Sequence, residues 1–260
     1  MKTMVFKMLF LILALYIGAS YYLYSTQEDK VFNRKNVQKV EPKVAKKIEF
    51  KTSDGTILEG ALVKNGTNLP LVLYFGGNGS NVINFLDNTA VKIKDFNFIG
   101  FNYPDYGNSQ GKPTQDVVLK YANEIYKKYN PDIVAGRSLG TAVAINVAYK
   151  NRAKKLLLIT PIDSILNIAK AKYPFLPVSL LLKEKFQADI WAKELKDTKV
   201  AVILVENENI VPKKSIENIL SSLKNIVYKT TIKDTNHMNI YSKENIADEL
   251  EKALKALKWS

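Results

Sequence analysis

Apolar side chains along the sequence fall into short runs that are separated by segments with one apolar and one polar face. Residues 48–53 and 56–63 alternate apolar and polar positions around Asp54-Gly55, which predicts a β-hairpin. Continuous apolar runs, each typical of a buried strand, follow at 71–75, 98–102, 132–135, 156–160, 200–205 and 226–232. Helical patterns occur at 82–94, 114–129, 140–150, 215–223 and 242–258. This alternation predicts an α/β fold with a mostly parallel central sheet and helices on both faces.

The N-terminal segment has a different pattern, because residues 8–24 contain no charged side chain. Lys2 and Lys7 precede this run, and together with residues 4–6 it is just long enough to span a bilayer. Three tyrosines near its end suit the interfacial region, at positions 21, 22 and 24. We therefore interpret residues 1–24 as a transmembrane anchor or a signal segment.

Two interpretations of this segment remain open. It is either an uncleaved anchor with a cytoplasmic N-terminus or a signal peptide that is cleaved near Gly18-Ala19-Ser20. We favour the anchor, because the apolar run is long and no A-x-A cleavage site follows it. Either interpretation places the remainder outside the cytoplasmic membrane, in a periplasm-like space. Residues 25–47 are polar and lysine-rich and are predicted to be a tether, and residues 48–260 to be one folded domain.

Composition narrows the function further. With 260 residues, of which 47% are hydrophobic, the chain can form one sizeable core. It contains no cysteine, which excludes disulfides, thiolate metal sites and a catalytic cysteine. The formal net charge is +13, but the lysines are dispersed and form no arginine-rich stripe with interleaved aromatics. We therefore expect no nucleic-acid partner, and consider an anionic membrane surface a better match for this charge.

The pentapeptide Gly136-Arg-Ser-Leu-Gly140 has the pattern G-x-S-x-G. By itself this pattern is weak, because glycine and serine are common in loops. Here a predicted strand precedes it and a helix of small residues follows it, which is the context of a nucleophile on a sharp strand-to-helix turn. Ser138 is therefore the candidate nucleophile.

A nucleophilic serine needs a base and an orienting acid, and both are found after later strands. His237 is the only histidine, and it follows the last predicted strand. Glu208 and Glu206 lie in the loop after the strand at 200–205, so the chain order is serine, acid, histidine. The alternative is a structural histidine with two solvated loop carboxylates.

Donors for a developing oxyanion are available in two places. The backbone N–H of Leu139 follows the nucleophile directly. A second donor is expected in the loop Gly76-Gly-Asn-Gly-Ser-Asn81, where we choose Asn78. This loop lacks the lysine of a phosphate-binding P-loop. The predicted chemistry needs no metal and no cofactor.

Several motifs in this order resemble the α/β-hydrolase superfamily, and within it the membrane-anchored α/β-hydrolase-domain serine hydrolases, which are serine aminopeptidase- or esterase-like. The motifs that carry the resemblance are the loop 76–81, Asn102-Tyr-Pro-Asp-Tyr-Gly-Asn-Ser-Gln-Gly111, the pentapeptide 136–140, Thr160-Pro161 with Tyr173-Pro-Phe-Leu-Pro-Val178, Glu208-Asn-Ile-Val-Pro212 and His237. The sequence departs from the family pattern at three positions. Gly76 replaces a histidine, Glu208 an aspartate and Asn236 a glycine.

The resemblance implies esterase, thioesterase or lipase-like activity on a small-molecule or lipid-like acyl substrate. Ser138 would be the nucleophile, His237 the base and Glu208 the orienting acid, with the N–H groups of Asn78 and Leu139 around the oxyanion. The apolar, proline-interrupted segment 171–186 is then either a surface excursion or a small cap that offers an apolar wall to an acyl chain. Two rival functions are a non-catalytic membrane-tethered binding protein and a peptidase or amidase.

Overall fold

A computed structural model describes residues 2–259 of the chain and contains one sheet of eight strands. The strands are β1 (Lys46–Lys51), β2 (Ile57–Val63), β3 (Leu71–Phe75), β4 (Asn97–Phe101), β5 (Ile133–Arg137), β6 (Lys155–Ile159), β7 (Lys199–Asn207) and β8 (Ile226–Asn236). Their order in the sheet is β1-β2-β4-β3-β5-β6-β7-β8. The pairs β1–β2 and β2–β4 are antiparallel, and all other neighbours are parallel. The predicted, mostly parallel α/β sheet is confirmed.

Helices connect the strands and cover both faces of the sheet. They are α1 (Lys2–Val31), α2 (Val82–Asn88), α3 (Gln115–Tyr129), α4 (Leu139–Asn151), α5 (Ile165–Lys172), α6 (Val178–Leu181), α7 (Ala188–Ala192), α8 (Lys213–Ser222) and α9 (Ile246–Trp259). One core cluster contains residues of α3, α4 and α8, and the other contains residues of α2 and α9. The central strands are buried on both sides, so Leu156 and Leu158 of β6 belong to one cluster and Leu157 and Ile159 to the other.

The segment between β6 and β7 folds into the short helices α5, α6 and α7. Its side chains divide into two groups: Val178, Leu182 and Phe186 are buried in the core, whereas Phe175 is 88% exposed and Leu180 86% exposed. The buried group agrees with a surface excursion that packs on the core. The exposed group is unusual for a surface that faces water.

Helix α1 is the one helix, among residues 2–259, that is long and apolar enough to cross a membrane. It continues past the apolar run to Val31, and residues 25–47 pack on the domain instead of forming a free linker. Phe32 is fully buried, and Asp87 of α2 accepts hydrogen bonds from the backbone N–H groups of Lys43, Val44 and Ala45. Four apolar residues of this lysine-rich segment therefore belong to the core, Val31, Phe32, Val37 and Ala45, whereas Val44 is exposed.

Candidate active site

Ser138 is the single residue between β5 and α4. Its backbone has a positive φ, with φ of 52° and ψ of −119°. Such a conformation costs a non-glycine residue about 1–3 kcal/mol and is maintained only where the surroundings enforce it. The two glycines of the pentapeptide make the turn sterically feasible. A Cβ on Gly136 would collide with the backbone of Gly140, and a Cβ on Gly140 with the carbonyl of Phe75.

Three side chains from separate loops form a hydrogen-bonded chain at the carboxyl ends of the parallel strands. Ser138 Oγ lies 2.8 Å from His237 Nε2, and His237 Nδ1 lies 2.9 Å from Glu208 Oε2. His237 follows β8 directly and is only 2% exposed. The structure therefore brings together the serine, the histidine and one of the two glutamates, with the distances that proton transfer requires.

The second oxygen of Glu208 fixes the carboxylate to its own loop. Oε1 accepts hydrogen bonds of 2.9 Å from the backbone N–H groups of Ile210 and Val211. Burial opposes ionisation of this carboxyl, but the hydrogen bonds from His237 and from these N–H groups outweigh it and lower the pKa of Glu208 below its ordinary value. Glu208 is thus held as a carboxylate that faces the imidazole.

The alternative acid, Glu206, points elsewhere. It is exposed, and its Oε2 accepts a 2.9 Å hydrogen bond from the backbone N–H of Asp234, near the end of β8 and three residues before His237. Glu206 therefore supports the histidine loop, whereas Glu208 contacts the histidine itself. Of the two glutamates, Glu208 is the one that contacts His237, and its role as the orienting acid stays a prediction.

The two proposed oxyanion donors come from different segments: Leu139 follows the turn at Ser138, which we call the elbow, and Asn78 lies in the glycine-rich loop 76–81. Leu139 is buried at the first position of α4. The side chain of Asn78 faces the N-terminal segment: its Oδ1 accepts from the N–H of Asn33 at 2.6 Å, and its Nδ2 donates to the carbonyl of Lys30 at 3.0 Å. Only the backbone N–H of Asn78 is left for the predicted role, and the roles of both donors stay predictions.

Arg137 is a component of the site that the sequence analysis did not single out. Its guanidinium is buried, with Nη2 donating to the carbonyl oxygen of His237 and Nη1 lying 3.4 Å from Ser80 Oγ. A Cβ on Gly77 would lie 2.7 Å from Nη1, so the glycine-rich loop also packs on this arginine. One side chain thus connects the elbow, the histidine loop and the glycine-rich loop. The signal in the sequence was an arginine directly before the serine.

Asn236, which replaces a family glycine, shapes the histidine loop. Its Oδ1 accepts from the backbone N–H groups of Met238 and Asn239, and its own N–H donates to Asn239 Oδ1. These reciprocal bonds form a compact turn around His237. Hydrogen bonds of the asparagine therefore stabilise the turn that a glycine would allow through its conformational freedom.

A cavity of about 460 Å³ lies beside the glycine-rich loop, but its lining includes none of the three hydrogen-bonded side chains. It is bordered by Gly76, Ser80, Asn84, Phe85 and Tyr241. Within residues 2–259, no group of three or more histidine, aspartate or glutamate side chains is arranged to hold a metal ion.

Solved structures share this arrangement of strands and helices. The esterase Pf2001 of Pyrococcus furiosus aligns with a TM-score of 0.62 and 18% identity, over 82% of this chain and 91% of that chain. Est1E of Butyrivibrio proteoclasticus, solved with ferulic acid bound, aligns with a TM-score of 0.62 and 17% identity, over 80% and 96% of the two chains. An α/β hydrolase of Novosphingobium aromaticivorans gives a TM-score of 0.61 at 12% identity, over 83% and 100%.

The protein has the α/β-hydrolase fold. The resemblance in its motifs is therefore confirmed at the level of the fold. In this chain, Ser138 stands at the strand-to-helix turn that carries the nucleophile in catalytically active members of the fold. Because fold does not imply function, the chemistry has to be argued from the site.

Sequence relatives are more distant. The uncharacterized protein R595 of Acanthamoeba polyphaga mimivirus is 28% identical over 204 residues, 66% of this chain and 67% of that protein. The uncharacterized protein Rv2307c of Mycobacterium tuberculosis (strain ATCC 25618 / H37Rv) is 26% identical over 186 residues, 67% and 66% of the two chains. A putative esterase/lipase 2 of Mycoplasma pneumoniae is 29% identical over 87 residues, 30% and 32%. This chain thus spans about two thirds of the length of the first two relatives. No protein-family model matches it.

Proposed function

We propose that the protein is a serine hydrolase that cleaves an ester or thioester through an acyl-enzyme. The observation that carries the proposal is the chain of hydrogen bonds from Ser138 Oγ through His237 to Glu208, at 2.8 and 2.9 Å. A binding protein would have no need for a strained serine, an imidazole and a carboxylate in this order. The names of the relatives, an esterase and a putative esterase/lipase, point to the same chemistry.

The reaction follows from the positions of these atoms. Ser138 Oγ attacks the acyl carbonyl while His237 Nε2 takes the hydroxyl proton, and Glu208 stabilises the imidazolium that forms. The carbonyl oxygen becomes an oxyanion, for which the N–H groups of Leu139 and Asn78 are the proposed donors. His237 then passes the proton to the departing alcohol or thiol, which leaves an acyl ester on Ser138. A water molecule attacks this ester, gives its proton to His237 and releases the acid, after which Ser138 regains the proton.

We further propose that α1 anchors the protein as a single-pass span, with the hydrolase domain on the extracytoplasmic side. The support is the exposed, uncharged surface of α1 from residue 8 to residue 24. A substrate for an enzyme in this position would be a small-molecule or lipid-like acyl ester. No cofactor and no nucleic acid enters this proposal.

The direct test is hydrolysis of p-nitrophenyl butyrate by the full-length protein in detergent, with Ser138→Ala beside it. Full-length protein is required because Phe32, which lies before the predicted domain, is part of the core. We expect the variant to lose about three orders of magnitude or more in kcat and to lose labelling by a fluorophosphonate probe. If folded wild-type protein neither hydrolyses the ester nor takes up the probe, the non-catalytic binding protein is the better description. Faster cleavage of the matched p-nitroanilide would instead indicate an amidase or peptidase.

A further inference from the structure

Two apolar side chains protrude from the loop before α6 and from α6 itself. Phe175 and Leu180 are 88% and 86% exposed, more than any other large apolar side chain in residues 2–258, including those of α1. We call residues 170–185, which contain them, the cap surface. Nothing within the described chain covers these two side chains. A bilayer is one environment in which such exposure is favourable.

Helix α1 is bound directly to this surface. The side-chain amide of Gln27 donates to the carbonyl of Leu181 at 3.0 Å and accepts from the N–H of Lys183 at 2.7 Å. One helical turn earlier, the ring of Tyr24 lies 4.5 Å from Lys183 Nζ. Gln27 is itself 5% exposed, so these bonds are shielded from solvent. The junction fixes the cap surface relative to the helix axis.

The junction lies where a spanning helix would leave the hydrocarbon. The apolar run of α1 ends at Tyr24, and Gln27 follows three residues later. At about 1.5 Å per residue this is a rise of roughly 4.5 Å. The polar layer on each side of a bilayer is about 5–8 Å thick. The backbone groups of Leu181 and Lys183 that bond to Gln27 therefore lie at the level of the lipid headgroups when α1 spans the membrane.

The charges of the cap surface fit that position. Its lysines are Lys170, Lys172, Lys183 and Lys185, of which the first three are exposed. Its one acidic residue, Glu184, is 8% exposed and accepts a hydrogen bond from the backbone N–H of Gln115, so it faces the domain. An apolar surface bordered by lysines is the composition of segments that bind anionic lipid interfaces.

We propose that the cap surface docks on the bilayer that α1 spans, with Phe175 and Leu180 inserted between lipid chains and the exposed lysines on headgroup phosphates. This inference rests on the proposed transmembrane placement of α1 and is independent of the chemistry at Ser138. The bilayer is chosen over a protein partner because the helix holds the surface at headgroup level and its exposed charge is positive. Docking gives the hydrolase domain a fixed orientation at the membrane.

The absence of cysteine in the chain permits a site-specific test. Single cysteines are introduced as Phe175→Cys and Leu180→Cys in the full chain and labelled with an environment-sensitive fluorophore. The labelled proteins are reconstituted in vesicles of phosphatidylcholine and phosphatidylglycerol that contain a lipid with a quencher on its acyl chain. Iodide serves as the aqueous quencher. A label on Leu13→Cys reports whether α1 lies in the bilayer.

Tyr149→Cys is the matched aqueous control. Tyr149 is a partly exposed aromatic residue near the C-terminal end of α4, which runs from the elbow toward the opposite edge of the sheet. We expect labels at 175 and 180 to be quenched by the lipid, as at 13, and to be several-fold less accessible to iodide than the label at 149. Vesicles of phosphatidylcholine alone should quench them more weakly, because neutral headgroups attract the lysines less.

Three outcomes would overturn the proposal, and each has a different meaning. If iodide quenches the labels at 175 and 180 as readily as the label at 149, while the label at 13 is still quenched by the lipid, the cap surface faces water. Protection from both quenchers means that protein covers it, either a partner or a second copy. Loss of lipid quenching at 13 means that α1 is not in the bilayer, which also removes the proposed anchor. Ester hydrolysis by the same samples reports separately on the proposed chemistry.

Discussion

At the scale of single residues, two glutamates that are two positions apart have different contacts. Glu208 bonds to His237 Nδ1, whereas Glu206 bonds to the N–H of Asp234. We expect Glu208→Gln to lower kcat for p-nitrophenyl butyrate by about two to four orders of magnitude, because an amide neither stabilises the imidazolium nor fixes its tautomer.

Glu206→Gln is the matched control, since the amide oxygen of glutamine still accepts from Asp234. Its kcat should stay close to that of the wild type. The steady-state kinetics of both variants are compared at one pH where wild-type activity is maximal. A larger loss in Glu206→Gln than in Glu208→Gln would move the orienting role to Glu206.

Arg137 is expected to be a positioning residue for the proposed reaction. The planar guanidinium of Arg137 donates to the carbonyl of His237 and to Ser80 at the same time, and the ammonium group of a lysine lacks this geometry. Arg137→Lys should therefore weaken the connection between the two loops while it retains the positive charge. We expect kcat to fall about 10–100-fold with KM nearly unchanged, because small displacements of a base are costly. The rate of fluorophosphonate labelling should fall in parallel. Equal kcat in Arg137→Lys and the wild type would show that the connection is not needed for catalysis.

The sequence predicted the three hydrogen-bonded side chains of the candidate site better than the residues that hold their loops in place. Ser138, Glu208 and His237 each follow a strand with a clear apolar pattern, so the topology of a parallel sheet places them at one edge. An arginine directly before the serine does not by itself predict a positioning role. That role depends on a contact of Arg137 with residue 237, which is distant in sequence. The side-chain bonds of Asn78 to residues 30 and 33 were missed for the same reason.

At the scale of elements, the agreement between sequence and structure follows the strength of the pattern. Strand β3 has the predicted bounds, and α3 begins one residue after the predicted start because Thr114 caps it with a side-chain hydrogen bond to the N–H of Val117. The predicted helix 82–94 ends at Asn88 and continues as a 3₁₀ turn. Helices α5, α6 and α7 are too short for a clear period, and tertiary packing stabilises them.

The N-terminal segment is held to the domain by Asp87, and this contact can be tested. Its carboxylate accepts three backbone hydrogen bonds of 2.7–2.9 Å from residues 43–45. In Asp87→Asn one acceptor becomes a donor that faces an N–H group. We expect a loss of stability of about 1–3 kcal/mol at pH 7, measured by thermal unfolding. Asp197→Asn is the control, because that side chain is 85% exposed, and its melting temperature should not change.

The effect of Asp87→Asn should depend on pH. Burial opposes ionisation of Asp87, but the N–H groups of Ala45, Lys43 and Val44 outweigh it and place the pKa below its ordinary value. A carboxyl with a lowered folded-state pKa stabilises the fold fully above the unfolded-state pKa of about 3.9, and the stabilisation is lost as the pH falls through the folded-state value. The difference in melting temperature between wild type and variant should therefore shrink below pH 4. A constant difference would show that the charge of Asp87 is not the cause.

At the scale of the whole molecule, two forces can hold this protein at a membrane, and salt separates them. The net charge of +13 attracts the chain to anionic lipids, but this attraction is screened when the Debye length falls to about 3 Å at 1 M salt. Insertion of the uncharged surface of α1 into hydrocarbon is not screened. We therefore expect full-length protein to remain in the membrane pellet after a wash with 1 M salt, and its intact mass to include α1.

A chain that begins after residue 19 is the matched control. It keeps Gln27 and Phe32, which pack on the domain, and loses most of the apolar run. This shorter chain is attracted to lipid only by the charge of the domain and by the cap surface. Together these bind a membrane less strongly than a spanning helix does. It should bind vesicles at low salt and be released by the wash. Release of the full-length chain would mean that α1 does not lie in the bilayer. A mass that shows cleavage near Gly18-Ala19-Ser20 would mean that α1 is a signal peptide.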